Sequence, residues 1–90
     1  MATLITTNGD IVKLEPKNGT DFTLKELQDI VGGHIEIVHL NENEIMVLNE
    51  DGKLIGLPTN VKATFTFQSM TNIHDFIVGN VLICNNEQVK

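Results

Sequence analysis

Histidine is the one residue type in this chain whose ordinary ionisation falls near neutral pH, and three are present. His34 follows Gly32-Gly33 and stands two residues before Glu36, a spacing that puts both on one face of a strand. Such a pair can exchange a proton or hold a metal, although a histidine at a strand start more commonly bonds locally. His39 falls on the side of Ile35 and Ile37 and could be partly buried. His74-Asp75 lies in a polar stretch and reads as solvent-exposed. Brought together, His34, His39 and His74 could form a zinc site with an open coordination position. Their separations do not demand it, no H-E-x-x-H spacing occurs, and one cysteine rules out thiolate clusters. No metal and no cofactor is expected.

Glu42, Glu44, Glu50 and Asp51 gather near two turns without the oxygen-ligand spacing of an EF-hand loop, so they read as a solvated acidic rim. Gly32-Gly33 and Gly52 follow a helix or join strands, the wrong context for a dinucleotide fingerprint. No nucleophile stands on a sharp turn with a histidine and an acid. The chain is therefore expected not to be an enzyme, and no residue is assigned a catalytic role. Gly56-Leu57-Pro58-Thr59-Asn60 and Gly32-Gly33-His34 could hold a small ligand between them, though both also suit turn and cap chemistry. The apolar positions Met46, Leu48, Phe65 and Phe67 could form a protein interface; at strand periodicity they equally suit a core.

Six lysines against twelve acidic residues give a formal net charge of −6, and arginine is missing. Nucleic-acid affinity starts with cations on phosphates, so direct DNA or RNA binding is not expected. A strongly phosphorylated ligand would need Lys17, Lys53 or Lys62 to be locally concentrated. An acidic surface suits docking on a basic protein. Cys84, in Val81-Leu82-Ile83-Cys84, excludes an internal disulfide and reads as a buried thiol. No basic segment followed by a long apolar one opens the chain, and no run nears the roughly 20 apolar residues of a membrane span. A cytoplasmic location is expected.

What must position these residues is one domain over 1–90, ordered over about 3–84, with a polar tail at 85–90. Leu4–Thr7 and Ile11–Glu15 read as strands around an Asn8-Gly9 or Gly9-Asp10 turn. Phe22 to Gly33 reads as a short helix. Thr23 and Glu26 have capping-box spacing, Phe22 and Leu27 can form a staple, and the glycines stop the helix. Leu24, Leu27 and Val31 are expected to face inward, with Lys25 and Asp29 paired outside. Ile35–Leu40 and Ile45–Asn49 read as strands, the second apolar on both faces, as for a strand covered twice or covered by an oligomer partner. Leu54-Ile55 reads as a third, short element of that meander. After Pro58, Asn60 could cap a helix with Ala63 and Phe67 four apart. Yet Val61, Ala63, Phe65 and Phe67 also alternate with polar residues, and that period favours a strand. Gln68–Asp75 reads as a loop, and Phe76–Val78, a Gly79-Asn80 turn and Val81–Cys84 end the ordered structure.

Glu15-Pro16-Lys17-Asn18-Gly19, then Phe22 to Gly33, Ile35-Glu36-Ile37-Val38, Asn49 to Lys53, Gly56 to Asn60 and Ile77 to Cys84 resemble, in order, domain-of-unknown-function family 3846 of bacteria, phages and mobile elements. The resemblance runs over most of residues 4–84. It implies a second helix beginning near Asn60, although Thr64-Phe65-Thr66-Phe67 departs from the family's more helix-prone segment, and it assigns no residue a role.

The expectation is thus an α+β fold, a small antiparallel sheet of about five or six short strands with one or two short helices. Its expected role is an accessory protein of a bacterial, phage or mobile-element system, a non-catalytic protein-binding or regulatory module. The alternative is a homo-oligomer, a homodimer for instance, that binds a small metabolite or nucleotide-like ligand. A protein partner or self-association is expected, and no membrane.

Overall fold

The computed structural model describes residues 2–89. In chain order its elements are β1 (Ala2–Ile5), β2 (Ile11–Leu14), α1 (Leu24–Val31), β3 (Ile35–His39), β4 (Glu44–Asn49), α2 (Val61–Thr71) and β5 (Val81–Asn85), then a 3-10 turn at Asn86–Gln88. The strands make one antiparallel sheet ordered β2-β1-β5-β4-β3. Five strands and two short α-helices give the expected α+β fold.

The two-sided strand explains the layering. In β4, Ile45 and Val47 point to one face, Met46 and Leu48 to the other, and all four are buried. On the first face, Leu27 and Val31 of α1 cluster with Ile45, Val47, Leu82 and Cys84, joined by Phe22 and Ala2. On the second, Ala63 and Phe67 of α2 cluster with Met46, Leu48, Val81 and Ile5, joined by Ile77 and Leu40. One chain covers both faces, so the apolar pattern of β4 needs no second copy to bury it.

The α1 cap is as expected. Thr23 Oγ1 accepts from the Glu26 N–H at 3.2 Å, and Glu26 accepts from the Thr23 N–H at 2.8 Å and the Lys17 N–H at 3.1 Å. Those backbone donors, Thr23 foremost and then Lys17, hold the Glu26 carboxyl below its ordinary value. Gly32 closes the helix in the left-handed region at φ 80°. The inward stripe differs in one residue: Leu24 is 59% exposed, while Ile30 joins Leu27 and Val31 at the core. Leu24 opens the helix, and the preceding Phe22 is buried in that cluster instead.

Residues 61–71 are helical, as the family resemblance implies and against the strand favoured by alternation. Positions two apart on a helix lie about 200° apart, on opposite sides. Ala63 and Phe67 therefore face the sheet while Val61 and Phe65 face solvent. Two i,i+4 pairs offset by two mimic a strand's period. The helix runs to Thr71, so the expected loop at 68–75 is reduced to 72–75.

Two local readings are corrected. The first hairpin has a longer loop than Asn8-Gly9 or Gly9-Asp10: the Thr6 N–H donates to Asp10 O and the Gly9 N–H to Thr6 O. Gly9, at φ 91°, supplies the left-handed residue of that three-residue loop. Leu54 and Ile55 form no strand; they sit on an exposed turn closed by the Ile55 N–H on Asp51 O and the Leu57 N–H on Gly52 O. Phe76–Val78 does not pair with Val81–Cys84. Val78 makes a single bridge to Thr59, and β5 instead pairs with β1 and β4. The stretch read as a polar tail carries the 3-10 turn, and Val89 bridges Phe22.

Cys84 is buried, and burial pushes its thiol up to about 11. Its alkylation by iodoacetamide under native, mildly alkaline conditions is expected to be at least about a hundredfold slower than in concentrated urea, because thiolate and access are both withheld. Equal rates measured by mass spectrometry would show that the thiol is not in the core.

Candidate functional site

The return from β4 to α2 and from α2 to β5 builds a recess beside β3. Its floor is Val38 of β3, Leu48 of β4, Phe67 of α2 and Ile77, and its volume is about 140 Å³. Because β3 pairs Glu36 with Leu48 and Val38 with Met46, Glu36 and Val38 share the α2 side of the sheet. Glu36, Glu50, Lys53, Asp75 and Phe76 form the rim.

The rim is latched. Lys53 Nζ lies 2.5 Å from Asp75 Oδ1 and 4.3 Å from the centre of the Phe76 ring. Asp75 Oδ1 also accepts from the Phe76 N–H at 2.8 Å. Lys53 first, and that N–H second, hold the Asp75 carboxyl below its ordinary value. The latch therefore persists above the ordinary carboxylate value and is lost as pH falls through the lowered folded one. The loop behind it is fixed to α2: Thr64 Oγ1 accepts from the Ile77 N–H at 2.8 Å, and Gln68 Nε2 donates to Asp75 O at 3.0 Å.

Helix α2 and the loops on either side of it also expose apolar side chains. Val61 and Phe65 are 74% and 73% exposed on the outer side of α2, and Leu54, Ile55 and Ile73 in the flanking loops are exposed too. Two other recesses are less shaped for recognition. One of about 540 Å³ at the β3–β4 turn, lined by Asn41, Glu42, Asn43, Glu44 and Asn85, opens broadly to solvent. The other, of about 230 Å³, is a shallow cleft between β2 and α1 lined by Leu14, Phe22 and Ile30 among charged residues.

The family described as Domain of unknown function (DUF3846) matches residues 3–89. The chain belongs to that family. No curated protein and no solved structure matches it. In this DUF3846 protein the three histidines do not converge. His34 immediately precedes β3, His39 ends it and His74 follows α2; all three are exposed, so the partial burial open to His39 is not found. His39 lies beside the sheet's open edge, where no element covers it.

His34 meets Asp51 rather than Glu36, with Nδ1 to Oδ2 at 3.9 Å. Ligating atoms of His34, Glu50 and Asp51 lie within 4.8 Å of one another, the single such group among the described residues. A divalent cation could be held by these groups, but His34 and Glu50 are exposed, as ordinary surface charges are. The sequence hid this grouping because His34 and Glu50 are distant in the chain. They become neighbours only through the ladder, where the Glu50 N–H donates to His34 O at 2.9 Å. Gly56–Asn60 and Gly32–His34 do not line the β3 recess. Nor do Lys17, Lys53 and Lys62 concentrate. Lys53 binds Asp75, Lys62 donates to Gly9 O, and Lys17 lies at the β2–α1 cleft. Of the proposed interface residues, Met46, Leu48 and Phe67 are core and Phe65 is exposed.

Proposed function

We propose that this DUF3846 protein is a non-catalytic protein-binding module that uses the α2 side of the sheet. One observation carries the reading: Val61 and Phe65, one turn apart, point a valine and an aromatic ring into solvent from an otherwise acidic chain. Exposed apolar side chains on one helix face, bordered by charge, suit a partner surface. Helix α2 already places Ala63 and Phe67 against its own sheet, so Val61 and Phe65 add nothing to the described core. The small-ligand reading has less support, since the two turn segments behind it do not share the β3 recess and β4 is buried within one chain.

The test places a photo-crosslinking amino acid at position 65, with position 24 of α1 as an exposed control, in cells that naturally carry the gene. A discrete heterologous protein captured from position 65 and not from position 24 is the expected result. Only self-crosslinks, or the same products from both positions, would overturn the proposal.

A further inference from the structure

We infer that the open edge of β3 and the recess beside it accept an extended segment of a partner protein, which adds as a further strand and seats a lysine or arginine side chain over the recess. The inference rests on the protein-binding reading and names the partner's chemistry.

The backbone supplies the first argument. The Glu50 N–H donates to His34 O and the Leu40 N–H to Glu44 O, each at 2.9 Å. In an antiparallel ladder bonded pairs alternate, so Glu36 and Val38 also direct their backbone groups toward β4. The N–H and C=O groups of Ile35, Ile37 and His39 then point away from the sheet, and β3 is its last strand. Such an edge is a template for another strand.

Side-chain direction supplies the second. A residue placed opposite Glu36 on an added strand shares its face and lies over the recess. Its chain neighbours lie on the opposite face beside Ile35 and Ile37, and Ile37 is 39% exposed. The edge thus asks for a basic residue on the recess side and apolar residues on the other.

Charge supplies the third. Glu36, Glu50 and Asp75 stand around the recess against one cation, Lys53. That cation shows what the subsite holds: an ammonium on an aliphatic stem, bonded to a carboxylate and lying against an aromatic ring. An incoming basic side chain would share or displace it. A second copy of this chain fits poorly, since it brings its own Glu36 and another net charge of −6 to the same edge.

The probe is the peptide acetyl-Val-Lys-Val-Lys-Val-Thr-amide, titrated into isotopically labelled protein at low salt and followed by amide NMR. Saturable shifts are expected in β3 and around Lys53 and Phe76, together with slowed exchange at Ile35, Ile37 and His39. Glu36→Gln and Asp75→Asn should each weaken binding about two- to fivefold, the range for one exposed charge pair. Lys53→Met, which removes the internal competitor, should tighten it by a similar factor, an outcome that a merely structural role for Lys53 does not give. Replacing both peptide lysines with glutamate should abolish binding. Equal binding of the glutamate peptide, unchanged exchange at the three edge amides, or no gain with Lys53→Met would each overturn the inference. So would edge amides already protected in a dimeric free protein, which would assign the edge to a second copy. If the peptide fails while position 65 still captures a partner, only this inference falls; if capture fails, the protein-binding reading falls with it.

Discussion

Asn60→Ala is expected to lower the unfolding free energy by about 2–4 kcal/mol, the summed cost of a lost helix cap and of two lost hydrogen bonds to buried carbonyls. Asn60 is fully buried. Its Nδ2 donates to Ile5 O and to Gly79 O, both at 2.9 Å, and its Oδ1 accepts from the Ala63 N–H at 3.0 Å. One side chain therefore joins β1, the loop entering β5 and the start of α2. A urea titration followed by circular dichroism measures the loss. Asn60→Asp is the sharper companion. It keeps the oxygen that caps the helix, but turns a carboxylate on two carbonyl oxygens where an amino group had donated. Near neutral pH it should be at least as damaging as alanine. Relative to the unsubstituted protein at each pH, acidification should restore part of the loss, because a protonated carboxyl can donate once. A loss below about 1 kcal/mol for the alanine variant would mean that the amide is not what fixes the α2 start.

Leu27→Ala and Leu24→Ala are expected to differ sharply although they remove the same atoms three residues apart. Leu27 is 2% exposed within the α1-side cluster, and its truncation should cost about 2–5 kcal/mol through lost burial and a cavity. Leu24 is exposed, and its truncation should cost less than about 0.5 kcal/mol. In a domain of this size the larger loss is a substantial part of a total of about 5–15 kcal/mol, so the Leu27 variant should show a visibly lower melting temperature. Similar losses at both positions would mean that α1 does not seat on the sheet as described.

Where rules act over a few residues, the sequence was readable. Thr23, Glu26 and Gly32 specify α1 by short-range bonds, and β4 declared its two buried faces through uninterrupted apolar residues. Misreadings arose where the deciding contact lies far along the chain. The segment after Asn60 looks strand-like because Val61 and Phe65 face outward while Ala63 and Phe67 face inward. The bonds that fix its helical start reach back to Ile5 and forward to Gly79. Leu54 and Ile55 have strand-like side chains but find no ladder, since β4's two edges are taken by β3 and β5. The recess was similarly illegible. Lys53 and Asp75 are 22 residues apart, and only the return from α2 brings them together. His34 stands two residues from Glu36 in the sequence, yet the acid it meets in space is Asp51, which no local spacing could reveal.

The position of β5 between β1 and β4 has a consequence for biosynthesis. Until residues 81–85 emerge from the ribosome, the nascent polypeptide holds two hairpins with no ladder between them, each with an unfilled side awaiting the same late segment. A neighbouring nascent copy could offer its own segment first, so exchange of β5 is the route by which two molecules would become entangled.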